Sequence, residues 1–240
     1  MIYREYVRRL YPPRSADPLA TVKVPCVVGS SFEDPMTSGP MTPTNAFLDH
    51  FVARKLSELT LCGAPVLDGI RRDWLNTFVL VTAFHNVADN WRPYVVNYLR
   101  RADGALAAYD AGTAALTEYV TTPPSSVSLY FRALLGFEVC ISQLCQSIQF
   151  RSSASANEIY VEDSGSTEER LFLLYNDQKN MDRFLGKGKG VAAAASSIWI
   201  TNAGLESPRA RLTFDELVEA LRAMADFATQ LAATPPAADS

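Results

Sequence analysis

The sequence predicts a mainly α-helical bundle with a short β element near 197–203 and an extended N-terminal arm. Three observations carry that reading. Leu134, Phe137, Ile141, Leu144 and Ile148 follow a 3-4-3-4 spacing, which is the core-facing seam of a long helix. A capping box, Thr213-Phe214-Asp215-Glu216, opens a last helix whose Leu217, Val218, Leu221, Met224, Ala225, Ala228 and Leu231 make one apolar stripe. Before residue 43 the chain is instead rich in proline, glycine, serine and threonine, the composition of an arm rather than a core.

Three segments follow: an N-terminal arm, 1–42, a helical bundle domain, 43–233, and a C-terminal tail, 234–240. In the arm, residues 2–10 read as a short helix stopped by Pro12-Pro13, and Thr21–Val28 as an extended segment. Pro43, after Thr42 as a cap, starts a helix in which Phe47, Leu48, Phe51, Val52, Leu56 and Leu59 recur at helical spacing. A second helix, from Asp68 to about Asn90, is apolar nearly all round and should be central. Pro93 ends or kinks it. Residues 94–120 read as one or two weaker helices, interrupted by Gly104 and Gly112. The seam helix opens at Pro123-Pro124-Ser125-Ser126 and fades into a small-residue linker at 151–156. Another helix spans about 166–185 and ends at Gly186-Lys187-Gly188-Lys189-Gly190. Ser197–Thr201 reads as a strand and Asn202-Ala203-Gly204 as a turn. Pro235-Pro236 closes the last helix.

Composition narrows the classes of function. The 240 residues carry a formal net charge of -4, so no global field draws nucleic acid to the chain. Any such contact needs a local patch, and Arg4, Arg8, Arg9 and Arg14 supply one. The four cysteines, Cys26, Cys62, Cys140 and Cys145, lack C-x-x-C spacing, and only two histidines are present, so free thiols are expected and a zinc site is not. No cofactor is implied. The N-terminus has no apolar signal core, and stretches such as Phe78–Val81 fall far short of a membrane span, so a cytoplasmic protein without membrane contact is expected.

The most chemically dense stretch is Tyr175-Asn176-Asp177-Gln178-Lys179-Asn180 at the end of an amphipathic helix. Lys179 supplies a cation, Tyr175 and Asp177 can exchange protons, and Asn176 and Asn180 offer paired donors and acceptors. The ordinary alternative is a helix end, where Asn and Asp compete for backbone hydrogen bonds. Glu138 lies beside the apolar seam and needs a partner there, with Lys179, Arg132 and His85 as candidates. His85 and Asp89 form an i, i+4 pair and are secondary candidates. The Gly-Lys-Gly-Lys-Gly loop does not match a phosphate-binding P-loop.

Tyr130–Glu138, Leu174–Asn180, Ile198–Glu206 and Leu212–Leu217, in that order, resemble HEPN-type (higher eukaryotes and prokaryotes nucleotide-binding) helical domains over roughly residues 45–233. Many members of that family are metal-independent ribonucleases in toxin or antiphage systems, acting as dimers that join two R-x(4–6)-H motifs. Aligned on Asn176, this chain has Tyr175 in place of the Arg and Asn180 in place of the His. What the resemblance implies is therefore a non-catalytic HEPN-like scaffold, a homodimer or part of a heteromer. Its groove near Glu138, Tyr175, Asn176, Lys179 and Asn180 would bind a protein partner, a nucleotide or RNA in a bacterial defence setting. Two alternatives stand beside it: a ribonuclease with a variant site using Lys179 with Tyr175 or Glu138, and an adaptor subunit docking through residues 1–42. A ribonuclease requires Lys179, Asn180 and Glu138 to converge in an open cleft.

Overall fold

The computed structural model describes residues 49, 52–84, 91–122, 126–155, 159–180 and 197–233. Among these are five α-helices, α1 (Trp74–Phe84), α2 (Trp91–Thr121), α3 (Val127–Ser155), α4 (Thr167–Lys179) and α5 (Phe214–Ala233). A small sheet of β1 (Trp199–Thr201), β2 (Gly204–Glu206) and β3 (Arg211–Thr213) lies between α4 and α5 in sequence. The mainly helical reading with a short β element is therefore correct. The arm, the tail, the His85–Asp89 pair and the Gly-Lys-Gly-Lys-Gly loop lie outside the described residues.

The bundle is organised around α2 and α3, two long helices joined by a short connection. The buried residues of α2 are Val95, Tyr98, Leu99, Ala102, Ala105, Leu106, Tyr109, Gly112, Leu116 and Tyr119, one continuous face at helical spacing. Sequence periodicity split this stretch because much of the face is alanine, glycine and tyrosine. Gly112 does not interrupt α2 but meets α3. A Cβ on Gly136 would stand 2.6 Å from both Cα and N of Gly112, and one on Gly112 would stand 3.2 Å from the Ala133 carbonyl oxygen. Only a pair of glycines lets the two backbones come this close. Pro93 sits in the first turn of α2, where its missing N–H costs nothing, and so does not end a helix.

The seam of α3 is placed as expected. Leu134, Phe137, Ile141 and Leu144 are buried, and Ile148 packs against the same core. The helix runs on to Ser155, where a linker was expected. By length and composition alone, Val127–Ser152 is apolar enough to cross a membrane, so the expectation that every apolar stretch falls short of a span fails for α3. Cys140 and Cys145 are free buried thiols on this helix, and Cys62 is a half-buried one.

Two early helices differ from expectation. Residues 52–59 hold only a 3-10 turn, Leu56–Glu58, because Lys55 takes a left-handed backbone at φ 58 that an α-helix cannot continue through. Val52, Leu56 and Leu59 are still buried. The second helix starts at Trp74, after Gly69 at φ +77, and is not central. Trp74 and Phe78 point inward, and the Trp74 indole N–H donates to Thr229 Oγ1 of α5 at 2.9 Å. Val79 and Leu80, each 62% exposed, point out.

The sheet is antiparallel in the order β1-β2-β3, with Ile200 opposite Leu205 and Leu205 opposite Leu212. The predicted strand and turn are present, and β2 and β3 are additional. Three residues leading into a capping box carry too little pattern to be read as a strand. The box itself forms as expected: Thr213 Oγ1 accepts from the Glu216 amide at 3.2 Å, and Glu216 Oε2 accepts from the Thr213 amide at 2.9 Å. Tyr130 fixes the sheet to α3, its hydroxyl accepting from the Ile200 amide at 3.3 Å.

Gly136→Ala is expected to destabilise the fold by about 2–3 kcal/mol, because the new methyl meets backbone that cannot yield. Gly104→Ala, whose Cβ would meet only the Gln143 side chain at 3.7 Å, is expected to stabilise by about 0.5–1 kcal/mol. Urea denaturation of the two variants checks both signs.

Candidate binding cleft

The polar stretch 175–180 is held by the way α4 is anchored at both ends. At its start, Ser166 Oγ accepts from the Glu169 amide at 3.2 Å, while the Glu169 carboxylate accepts from the amides of Asp163 and Gly165, each at 2.7 Å. These amide donors hold the Glu169 carboxyl below its ordinary range. Ser166-x-x-Glu169 is a capping-box pattern legible in the sequence and overlooked there, with the carboxylate here reaching the amides just before Ser166 instead of that of Ser166 itself. Arg170 then reaches α5: its guanidinium donates to Glu216 Oε1 at 2.6 Å and Oε2 at 3.1 Å, and to the Arg211 carbonyl at 3.1 Å. The Arg170 hydrogen bond, helped by those from Thr213 against the cost of burial, lowers the Glu216 carboxyl to about 2.

Near its other end, Asp177 is fully buried, and Arg209 Nε donates to its Oδ1 at 2.7 Å. Asp177 is thus an anchor that turns α4 toward the loop before β3, and not a proton carrier in a groove. Its second oxygen has no hydrogen-bond partner.

Asn180 is taken up by the helix end, bonding back to the backbone of Asn176. The Asn180 amide and side-chain Nδ2 both donate to the Asn176 carbonyl, at 3.1 and 2.7 Å. The structural alternative therefore accounts for the side chains of two of the six polar residues, Asp177 and Asn180, while the Gln178 side-chain carbonyl is buried without a partner. Tyr175 and Lys179 lie one turn apart on the same face, with Lys179 Nζ 6.0 Å from the Tyr175 ring centroid.

That face meets α3. Tyr175, Gln146, Gln149 and Phe150 line an open cleft of about 400 Å³. Arg101 of α2 stands behind it, its guanidinium carbon 5.9 Å from the Phe150 ring centroid and one Nη donating to Gln143 at 2.9 Å. Phe150 is fixed from its other side by Tyr94, whose hydroxyl donates to the Phe150 carbonyl at 3.0 Å. Gln146 donates to Ser142 Oγ at 3.1 Å, and its carbonyl oxygen and the whole Gln149 amide have no protein partner among the described residues. The sequence reading followed the seam of α3 and so missed its wet side, where Gln146 and Gln149 are spaced three apart.

Glu138 is not brought to this cleft. It lies eight residues before Gln146 on α3, about 12 Å along the axis. No hydrogen bond or ion pair joins it to Lys179, Arg132 or any other described residue, and burial raises its carboxyl above the ordinary range. A second cleft of about 270 Å³ lies between Tyr98, Arg151, Glu168, Leu171 and Met224, with an apolar floor. Among the described residues, no group of three or more His, Cys, Asp or Glu could hold a metal ion. No protein-family model, no curated protein and no solved structure matches this chain.

The Arg170–Glu216 pair makes stability depend on pH in a defined direction. A carboxyl lowered from 4.5 to about 2 adds stability that is complete above its unfolded value and is lost as pH falls from about 5 toward 2. Glu216→Gln is expected to cost about 1 kcal/mol at pH 7, with the gap to the native protein narrowing by pH 2.5. Urea midpoints at both pH values check this, and a gap that does not narrow would contradict it.

Proposed function

We propose that this chain is a non-catalytic, HEPN-like binding protein that takes a nucleotide or single-stranded RNA in the cleft between α3 and α4. The observation that carries the reading is the content of that cleft: two aromatic rings, Phe150 and Tyr175, beside two amides, Gln146 and Gln149, with Lys179 next to the Tyr175 ring and Arg101 behind Phe150. An aromatic ring exposed in a cleft stacks on any nucleobase, worth about 1–3 kcal/mol per base. Primary amides offer a donor and an acceptor to a base edge, the part of an unpaired nucleotide that proteins read. Lysine adds a point charge for phosphate.

The reading is of binding without cleavage. None of the four lining residues carries a carboxylate or an imidazole, the groups that most often move protons in RNA cleavage. The half-buried Glu138 makes no hydrogen bond or ion pair with Lys179 or Asn180. With an overall charge of -4, affinity rests on stacking more than on phosphate attraction, so salt dependence is expected to be shallow.

Fluorescence anisotropy with a labelled single-stranded RNA tests this. Tyr175→Ala is expected to weaken binding roughly tenfold through lost stacking. Lys179→Ala is expected to weaken it less and to reduce the log–log salt slope by about 0.7, the value of one phosphate contact on a single strand. Absence of binding at about 100 µM protein, or binding untouched by Tyr175→Ala, would sink the proposal.

A further inference from the structure

The second cleft, of about 270 Å³, opens where α2, α3, α4 and α5 meet. Ile148 and Arg151 of α3, Glu168 and Leu171 of α4, and Ala220 and Ala223 of α5 are three apart within each helix, so each pair shares a face. Tyr98 of α2 and Met224 of α5 close the floor. Both are buried, and the Tyr98 hydroxyl donates to the Met224 carbonyl at 3.3 Å. Alanine at 220 and 223 keeps the α5 side open, since larger side chains there would fill the space.

Two opposite charges stand over this apolar floor, one on α3 and one on α4. The Arg151 guanidinium carbon lies 5.0 Å from the Phe227 ring centroid, a stacking contact that holds its plane. Its five N–H donors exceed what any one partner can take. Glu168 is exposed, and its carboxylate has no hydrogen bond or ion pair with Arg151 or any other described residue. The two charges therefore do not neutralise each other. Each has a hydroxyl next to it in sequence, Ser152 and Thr167, and both hydroxyl residues line the cleft.

This pattern discriminates between ligands. A bare carboxylate is drawn to Arg151 and repelled by Glu168, and a bare amine meets the reverse. An uncharged apolar molecule gains from neither. A zwitterion with an apolar group beside its two charges satisfies both walls and the floor.

We propose that this cleft binds a free α-amino acid with an aliphatic side chain. Its carboxylate pairs with Arg151, its ammonium with Glu168, and its side chain packs against Ile148, Leu171 and Met224. The site shares no lining residue with the cleft of Phe150 and Tyr175, so it stands or falls independently of RNA binding there.

Isothermal titration calorimetry of the full chain with L-leucine tests the proposal, with a Kd below about 0.1 mM expected. N-acetyl-leucine lacks the ammonium, leucinamide the carboxylate and glycine the side chain, and each is expected to bind at least about tenfold more weakly. Glu168→Gln is expected to weaken leucine about tenfold without weakening N-acetyl-leucine, and Arg151→Gln to weaken leucine similarly without weakening leucinamide. These paired readouts separate loss of one contact from loss of fold. Ala223→Phe, at an exposed position of α5, fills the cleft and is expected to abolish binding. No binding at about 5 mM leucine, leucine binding that Glu168→Gln and Arg151→Gln leave intact, or N-acetyl-leucine bound as tightly as leucine would overturn the proposal.

Discussion

Gly112 and Gly136 bring α2 and α3 together until backbone faces backbone, with no room for even a methyl group between them. This contact sets the distance between the two longest helices, and the large side chains on either side are sized to it. Tyr109 packs edge-on to Phe137 with ring centroids 5.9 Å apart, and Phe137 in turn meets Phe214 at the start of α5 at 5.2 Å. A wider separation would leave these rings without neighbours, and cores lose stability with each void of that kind. The crossing therefore fixes where α5 and the sheet can sit as well as where α3 lies.

The remaining helix is positioned by charge. Arg170 holds α4 to the cap of α5, and Arg209 holds it from the loop before β3 through the buried Asp177. Both carboxylates accept from guanidinium groups, whose planar fork gives direction as well as attraction. Held at these two points, α4 presents Tyr175 and Lys179 toward the wet side of α3. The cleft thus rests on the Gly112–Gly136 contact and two ion pairs, and none of those residues lines it.

How much of this was legible in the sequence depended on the kind of residue involved. The α3 seam and the α5 stripe were, because leucine, isoleucine and phenylalanine at helical spacing leave one reading. The unity of α2 was not, since Gly112 counts against a helix by propensity and only a partner glycine on another helix reverses its meaning. The region 52–59 misled in the opposite sense: its apolar spacing is real and its core residues are buried, but the left-handed turn at Lys55 breaks the helix without any glycine or proline to announce it. In the site, Tyr175 and Lys179 were singled out with Asn176 and Asn180, because adjacency in sequence hides that Asn180 closes the helix on the Asn176 backbone and Asp177 faces inward. Gln146, Gln149 and Phe150 were invisible for a simpler reason. Which side of α3 faces α4 is a tertiary fact, and no local pattern records it.

On the proposed function, the cleft between α3 and α4 is where this protein meets its ligand. The most direct test is to titrate a short single-stranded RNA into protein labelled with nitrogen-15 and follow the amide resonances by NMR. The account expects the largest shifts at the side-chain amides of Gln146 and Gln149 and at the backbone of Phe150, Tyr175 and Lys179. Shifts centred on the cleft beside Tyr98 and Arg151, or nowhere, would contradict it.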